Sequence, residues 1–483
     1  MTPRQWKVTA VIASALVVIL VAVVVVVAAT GGDDEEAIST DGSTTSSSST
    51  TTQPPATTTT LPPVLPPGTS PPVTITPGST LVVPTAPPPT AAPTTTTKKP
   101  PATTTTKPSG GSDVGITPTE IHLAVIADDP AVFDGMTAWM NQANKTEIAG
   151  RKVRLDLLST NGSADGYAQA VQTACDKDFA IVGSFSAFDT ATESAGCAPI
   201  PDLPLEAVSP PHQIAANAYA AFPRRPATVA VGQFPFISGS TPDCCSQYWL
   251  VPNEGAARDR ALAEADGAAK VGFDTAGTAD VAPSDPPTRY DEIVQQIIDT
   301  NATLGASGLS PQQTILLRHA ASTKGTPNVK AWYCGSQCYD SALLDGGDDV
   351  EDQLIAIETT PFGDRMVVQS LRTYIKATNK TGNDPTYTGL RAFVTGLLFE
   401  QAAKQVVDAD GPDGITRVRL LDTLAGIHDF SGGGIVGPTD VGARQPNGCY
   451  VLLKVKNGHF TRLNPADKGQ LDCGPQNLAE IGD

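Results

Sequence analysis

The chain has 483 residues, 42 of them proline and 43 glycine, and a formal net charge of −18. An acidic protein without a basic cluster in its folded part repels phosphate backbones, which argues against nucleic acid and anionic lipid as partners. Its length exceeds what one hydrophobic core supports, so two lobes or domains are expected.

Arg4 and Lys7 in the N-terminal segment 1–7 precede an apolar run, 8–30, and Asp33, Asp34, Glu35 and Glu36 follow it. At 1.5 Å per residue that run makes a helix of ~34 Å, long enough to cross a hydrocarbon core of about 30 Å. The charge bias puts residues 1–7 in the cytoplasm and everything after the span outside a bacterial cell membrane, in the extracellular or periplasmic space. A cleaved signal peptide ending near Ala28 and Ala29 is the rival reading, but its apolar region would be shorter. Residues 31–113 are Thr clusters such as Thr94–Thr97 interleaved with prolines such as Pro87–Pro89. This composition cannot bury enough apolar surface to fold, so it reads as a disordered stalk and a candidate for O-glycosylation. Its reach is ~250 Å fully extended and nearer ~50 Å as a flexible coil.

Globular sequence begins at Val114. Ile121, Leu123 and Val125 alternate as a strand, and Phe133, Met136, Met140 and Ala143 recur at helical spacing. Ile148–Leu158 reads as a turn and strand, Tyr167, Ala170, Val171 and Ala174 as a helix, and Phe179–Val182 as a short buried strand. This alternation predicts a parallel sheet with helices on both faces. Proline-rich, irregular sequence occupies Pro210–Gly239. The pattern resumes with a strand at Val271–Asp274, a helix striped by Tyr290, Ile293, Val294 and Ile297, and a helix started by Ser310-Pro311. Strands at Val329–Tyr333 and Leu354–Ile357 precede three helices carrying Leu371 and Tyr374, Leu390 and Phe393, and Leu420 and Leu424. Two strands, Cys449–Lys456 and His459–Leu463, close the chain around an Asn457-Gly458 hairpin turn.

All 8 cysteines lie beyond the apolar run, where disulfides form. Short loops suggest Cys175–Cys197, Cys334–Cys338 and Cys449–Cys473, leaving the adjacent Cys244 and Cys245 joined to each other or free. Metal binding is the competing reading of the cysteines. Only Cys334 and Cys338 have ligand-like spacing, and the 5 histidines are scattered singly, His122 and His428 among them, so neither a metal nor any other cofactor is expected.

The opening strand and helix, the IAGRKVRLDLL stretch at Ile148–Leu158, the Gly183-Ser184-Phe185-Ser186 turn and GGIVGPTDVGAR at Gly433–Arg444 together resemble the type I periplasmic binding proteins. The similarity is greatest to the branched-chain amino-acid (Leu/Ile/Val) binding subgroup that serves ABC transporters, and it runs from about Val114 to Leu463. The resemblance implies an α/β fold of two doubly wound parallel-sheet lobes joined by three hinge crossovers. Lobe 1 would span 114–235 and 361–437, and lobe 2 would span 236–360 and 438–483. The crossovers would lie near Gln233–Ser238, Thr359–Phe362 and Gly437–Asp440. It also implies capture of a small ligand, an amino acid or related organic acid, for an ABC permease. A sensing or wall-associated ectodomain with the same fold is the alternative. The span, the stalk and a shortened stretch at Asn301–Ser310 depart from the family pattern.

Ligands of open α/β sheets bind at the carboxyl ends of strands. Ser184, Phe185 and Ser186 sit at such an end, although Ser186 and Asp189 also read as a helix capping box. Ser209, before Pro210, follows the next strand and resembles the second contact loop of the family, or is a plain turn. In lobe 2, Asp274 is read as ending a strand and as a partner for an ammonium. Tyr290 matches a family position where an aromatic closes over the ligand, but it also opens an apolar stripe. Family placement brings Tyr333, Ser336 and Tyr339 to the cleft. No phosphate loop, His-Glu-x-x-His helix or Gly-x-Ser-x-Gly elbow occurs, so binding without chemistry is the leading expectation.

Overall fold

The computed structural model describes residues 113–190, 200–253 and 255–482. The expected span at 8–30 and the stalk lie outside them. Among the described residues no helix is long and apolar enough to cross a membrane.

In chain order the elements are β1 (Glu120–Ile126), α1 (Pro130–Ala143), β2 (Lys152–Leu158), α2 (Ala164–Lys177), β3 (Ala180–Val182), β4 (Asp202–Leu203), α3 (Pro210–Gln213), β5 (Thr228–Ala230) and α4 (Gln233–Ser240). There follow β6 (Ser246–Pro252), α5 (Gly255–Lys270), β7 (Asp274–Val281), α6 (Pro287–Asp299), β8 (Leu304–Ser307), α7 (Pro311–Lys324), β9 (Ala331–Cys334) and β10 (Leu354–Ile357). Three helices, α8 (Gln369–Thr381), α9 (Tyr387–Asp410) and α10 (Arg417–Ala425), precede β11 (Val451–Lys456), β12 (His459–Asn464) and β13 (Leu478–Glu480).

The first sheet, ordered β2-β1-β3-β4, is wholly parallel. Leu123 and Val125 of β1 face a core shared with α1, α8, α9 and α10, while Ala124 and Ile126 face α2, so both faces are buried as a parallel sheet requires. The second sheet runs β12-β11-β10-β9-β8-β6-β7, parallel from β7 to β10 and antiparallel beyond. Trp249 and Val251 of β6 pack toward α4 and α5, and Tyr248 and Leu250 toward α6 and α7. The architecture is therefore bilobed α/β, each lobe built on its own sheet.

Several details differ from the sequence reading. Val271 and Gly272 form the turn after α5, with Gly272 at φ +100°, and the strand starts at Asp274 instead of ending there. Neither β6 nor α5 was expected, because the buried face of α5 consists of Ala261, Ala265, Gly267 and Ala268, too small to make a visible stripe. Pairing of β5 with β13 and burial of Val231 and Phe234 in the second core place the change of lobe before 228, upstream of the boundary read at 235. Val441 packs in the first core, so the stretch after 437 stays with that lobe.

Ser310 caps α7 with a full capping box through Gln313, and Asn457 and Gly458, both at positive φ, turn the last hairpin. Cys334–Cys338 and Cys449–Cys473 are bridged, Cys175 is disulfide-bonded, and Cys197 lies outside the described residues. Cys244 and Cys245 are free thiols with sulfurs 3.2 Å apart, and burial followed by the Cys245 contact pushes Cys244 up to about 12.

Two local devices fix the carboxyl ends of the first sheet. A buried chain of polar groups links the turn after β3 to the loop after β4: Ser184 Oγ donates to Asp202 (3.2 Å), and the His212 ring lies 2.8 Å from Asp202 and 2.6 Å from Asp189. Asp189 in turn accepts from the amides of Val208 and Ser209, each at 2.7 Å. Burial would lower the His212 pKa, but the Asp202 charge and the hydrogen bonds to Asp189 and Asp202 overcome it and push it up to about 10. The second device is the crossing of α1 and α9 at Gly135 and Gly389, where a Cβ on Gly135 would lie 2.1 Å from the Gly389 carbonyl oxygen.

Gly135→Ala should therefore force α9 away and cost about 1–3 kcal/mol of stability in denaturant unfolding. His212→Gln removes the cation shared by two buried carboxylates and should cost about 3–5 kcal/mol near neutral pH. The folded pKa of His212 exceeds its unfolded value, so its contribution is complete below about pH 6.5 and fades as the pH rises toward 10, by about 1.4 kcal/mol per pH unit. The stability gap between wild type and His212→Gln should narrow over that window. A constant gap would mean that His212 is not held as an imidazolium.

Candidate functional site

The carboxyl ends of β3 and β4 carry the residues singled out in the first lobe. Ser184 is buried and its hydroxyl is used by Asp202. Phe185 packs on the first core, and its amide donates to the Ile126 carbonyl. Ser186 is buried and accepts from the Phe188 amide at 3.1 Å. Asp189 does not complete a capping box with Ser186, because its carboxylate is occupied by Val208, Ser209 and His212. Ser209 stands before α3 without a side-chain capping bond, and its buried hydroxyl has no partner among the described residues.

The second-lobe residues are dispersed. Asp274 is exposed at the amino end of β7, with its amide on the Cys245 carbonyl, so it is remote from the strand ends that face a ligand. Tyr290 is buried among Ile293, Val294, Ile297 and Leu250, as core rather than as a cleft aromatic. Ser336 opens a short turn beside the Cys334–Cys338 bridge and its carbonyl accepts from the Tyr339 amide. Tyr339 packs on Phe362 and Tyr387. Tyr333 alone reaches a polar centre, its hydroxyl 3.2 Å from Gln233 and 3.5 Å from Glu264.

That centre is an ionic cluster that sequence reasoning missed. Glu206, three residues beyond the end of β4, holds Arg391 of α9 at 2.8 Å, Arg260 of α5 at 2.8 Å and Arg224 at 3.7 Å. Arg224 also pairs with Glu358 at 2.8 Å, and Arg260 lies 3.7 Å from Glu264. Neighbours show which lobe carries each group. Leu205, Phe222, Leu390 and Ala392 belong to the first core, whereas Ala261 and Ala265, flanking Arg260 and Glu264, belong to the second. The cluster thus joins the two lobes through opposite charges.

Burial would raise the Glu206 pKa, but Arg260, Arg224 and Arg391 outweigh it and hold the carboxyl well below the usual range. Glu264 is pushed up by burial, which Arg260 and Arg224 only partly offset. The Arg391 guanidinium sits over Phe222 (4.7 Å) and Tyr387 (5.9 Å), an arrangement that fixes its plane. Arg391 is 5% exposed, and its buried Nε has no hydrogen-bond partner among the described residues. A fixed cation with a spare donor can bind an acid group without reorganising. A faint signal existed in the sequence: Glu206 interrupts the apolar run Leu203–Val208, and Arg391 interrupts the stripe of α9.

A family model described as periplasmic binding protein matches residues 127–459. No curated protein matches the chain in sequence. Among solved structures, the chain is similar in fold to a putative branched-chain amino acid ABC transporter from Rhodospirillum rubrum, with 17% identity over 71% of this chain and 99% of that one and a TM-score of 0.57. A fatty acid ABC transporter substrate-binding protein from Thermomonospora curvata shares 13% identity over 74% of this chain and 95% of its own, with a TM-score of 0.59. A leucine-binding protein from Thermotoga maritima shares 16% over 71% and 97%, with a TM-score of 0.53. These identities establish the fold alone. The family match covers more than half of the chain, and with its bilobed α/β architecture this protein belongs to the periplasmic binding protein family, whose members are non-catalytic solute-binding components.

Proposed function

We propose that this chain is a membrane-anchored extracellular solute-binding protein that captures a small organic acid, an amino acid being the leading class, between its two lobes for uptake by an ABC permease. In this reading residues 8–30 anchor the chain and 31–113 give the binding domain reach. The chain passes between the cores near 223–228, 358–361 and 447–449, and these three passages act as hinges for closure.

The observation that carries the reading is Glu206 held by Arg391 of its own lobe and by Arg260 of the other. A solute carboxylate entering the cleft meets the spare Nε of Arg391 and competes with Glu206 for Arg260 and Arg224. Glu264 and Glu358 offer carboxylates to an ammonium, the role expected of Asp274. Ser186 and Ser209, with Ser184 and Phe185 behind them, supply the first-lobe wall, and Tyr333 the second. Donors placed for an acid group discriminate strongly against solutes lacking it, because the donors then stay unpaired.

Thermal-shift screening of amino acids and small carboxylic acids tests this. A ligand at a hundred times its dissociation constant adds ~2.7 kcal/mol, a clear rise in melting temperature. Arg391→Gln should weaken that ligand by roughly ten- to a hundredfold, the worth of a hydrogen bond to a charged group. A well-folded, ligand-stripped chain that responds to no member of the library would remove the solute-binding reading.

A further inference from the structure

His122, scattered and solitary in the sequence, is not solitary in the fold. It projects from β1 toward the face covered by α2, the face that also takes Ala124 and Ile126. Asp156 on the neighbouring strand β2 is in register with Ala124 and faces the same way. Asp178 ends α2, and the next amide, Phe179 N–H, donates to the His122 carbonyl at 2.8 Å, which locks the helix end beside the ring. A ring nitrogen of His122 and carboxylate oxygens of Asp156 and Asp178 lie within 4.8 Å of one another.

Asp178 is the informative member. Its residue is 0% exposed, and neither carboxylate oxygen has a hydrogen-bond partner among the described residues. A buried carboxylate without donors costs several kcal/mol, and the negative end of α2 adds to that cost. Nearby cations do not supply the donors. Arg417 donates to the carbonyls of Asp178, Cys175 and Phe179, and Arg154 stands 3.6 Å from the other carboxylate, Asp156. Lys177 lies on the last turn of α2. Two acceptor-only groups facing one another beside an imidazole require a bridging positive charge.

We propose that His122, Asp156 and Asp178 form a structural site for a divalent transition cation of the zinc type, separate from the interlobe cluster and near the amino ends of the first sheet. One imidazole nitrogen and two carboxylates suit that class, with water completing the coordination. Glu120 lies 3.1 Å from His122 Nε2 and serves as the outer carboxylate that orients the ring, which leaves Nδ1 to carry the lone pair. His122 and Asp156 are partly exposed, their side chains 22% and 28%, and Thr173 and Lys177 line the same groove, so an ion can enter from solvent. The bound ion ties the edge strand β2 to the corner between α2 and β3.

The test uses the purified, untagged full-length chain, stripped with chelator and titrated with Zn2+ by calorimetry. Uptake of one equivalent with a rise in melting temperature is expected. Asp178→Asn and Asp156→Asn should each abolish that uptake. Asp178→Asn should also raise the melting temperature of the metal-free chain, because an amide replaces an unpaired carboxylate. Glu120→Gln should keep the site but weaken it about ten- to a hundredfold. The proposal is overturned by a wild-type chain that takes up no stoichiometric Zn2+, in which case a proton shared by the two carboxyl groups bridges them instead. It is equally overturned by uptake that persists undiminished in both Asp→Asn variants.

Discussion

One carboxylate ties the two lobes to each other through opposite charge. Glu206 is buried at the end of the first sheet, and an ion in that position is tolerated only with compensation from close opposite charge. Arg391 alone would satisfy it from within the lobe. Arg260 reaches it from the other lobe, so the relative position of the two sheets enters directly into the energy of a single side chain. The α1–α9 crossing matters for the same reason, since Gly135 against Gly389 sets where Arg391 begins. The His212 chain does likewise for the loop that carries Glu206, because Asp189 holds the amides of Val208 and Ser209 just beyond it.

The ionic part of the contact between lobes behaves differently from the apolar packing of Tyr339 on Phe362 and Tyr387 beside it. Apolar surfaces parted by hinge motion leave a penalty proportional to the area exposed, which favours one state. In the proposed closure, ions that part regain hydration, so much of the attraction lost at the Glu206 cluster is offset. A solute then needs to contribute only a modest differential affinity to select the closed state.

Periodicity made the fold legible where side chains are large. The stripes of α1, α6, α8 and α9, the Ser310 cap and the Asn457-Gly458 turn all lie where the sequence placed them. It failed at α5, whose buried face is alanine and glycine, and at the start of β7, where the apolar Val271 belongs to the preceding turn. The site was less legible than the fold. Ser184 and Ser186 were placed correctly at a strand end, but the charges that join the lobes are drawn from Glu206, Arg224, Arg260, Glu358 and Arg391, far apart in sequence. No local motif can encode that set. Tyr290 misled because one position served both a family pattern and a helix stripe, and packing took it.

Glu206 and Asp178 show how the same energetics separates two kinds of buried charge. Both are carboxylates removed from water on the first lobe, one at the carboxyl ends of its strands and one near the amino ends. Glu206 is met by three guanidiniums, and the cost of its burial is offset within the protein. Asp178 is met by another carboxylate and an imidazole, and nothing in the described chain donates to it. Burial and the facing Asp156 push the Asp178 carboxyl up to about 7, so a shared proton or a bound cation is what completes the pair. A buried charge with its partners present thus joins parts of the protein, whereas one facing only another acceptor calls for a proton or a cation between them.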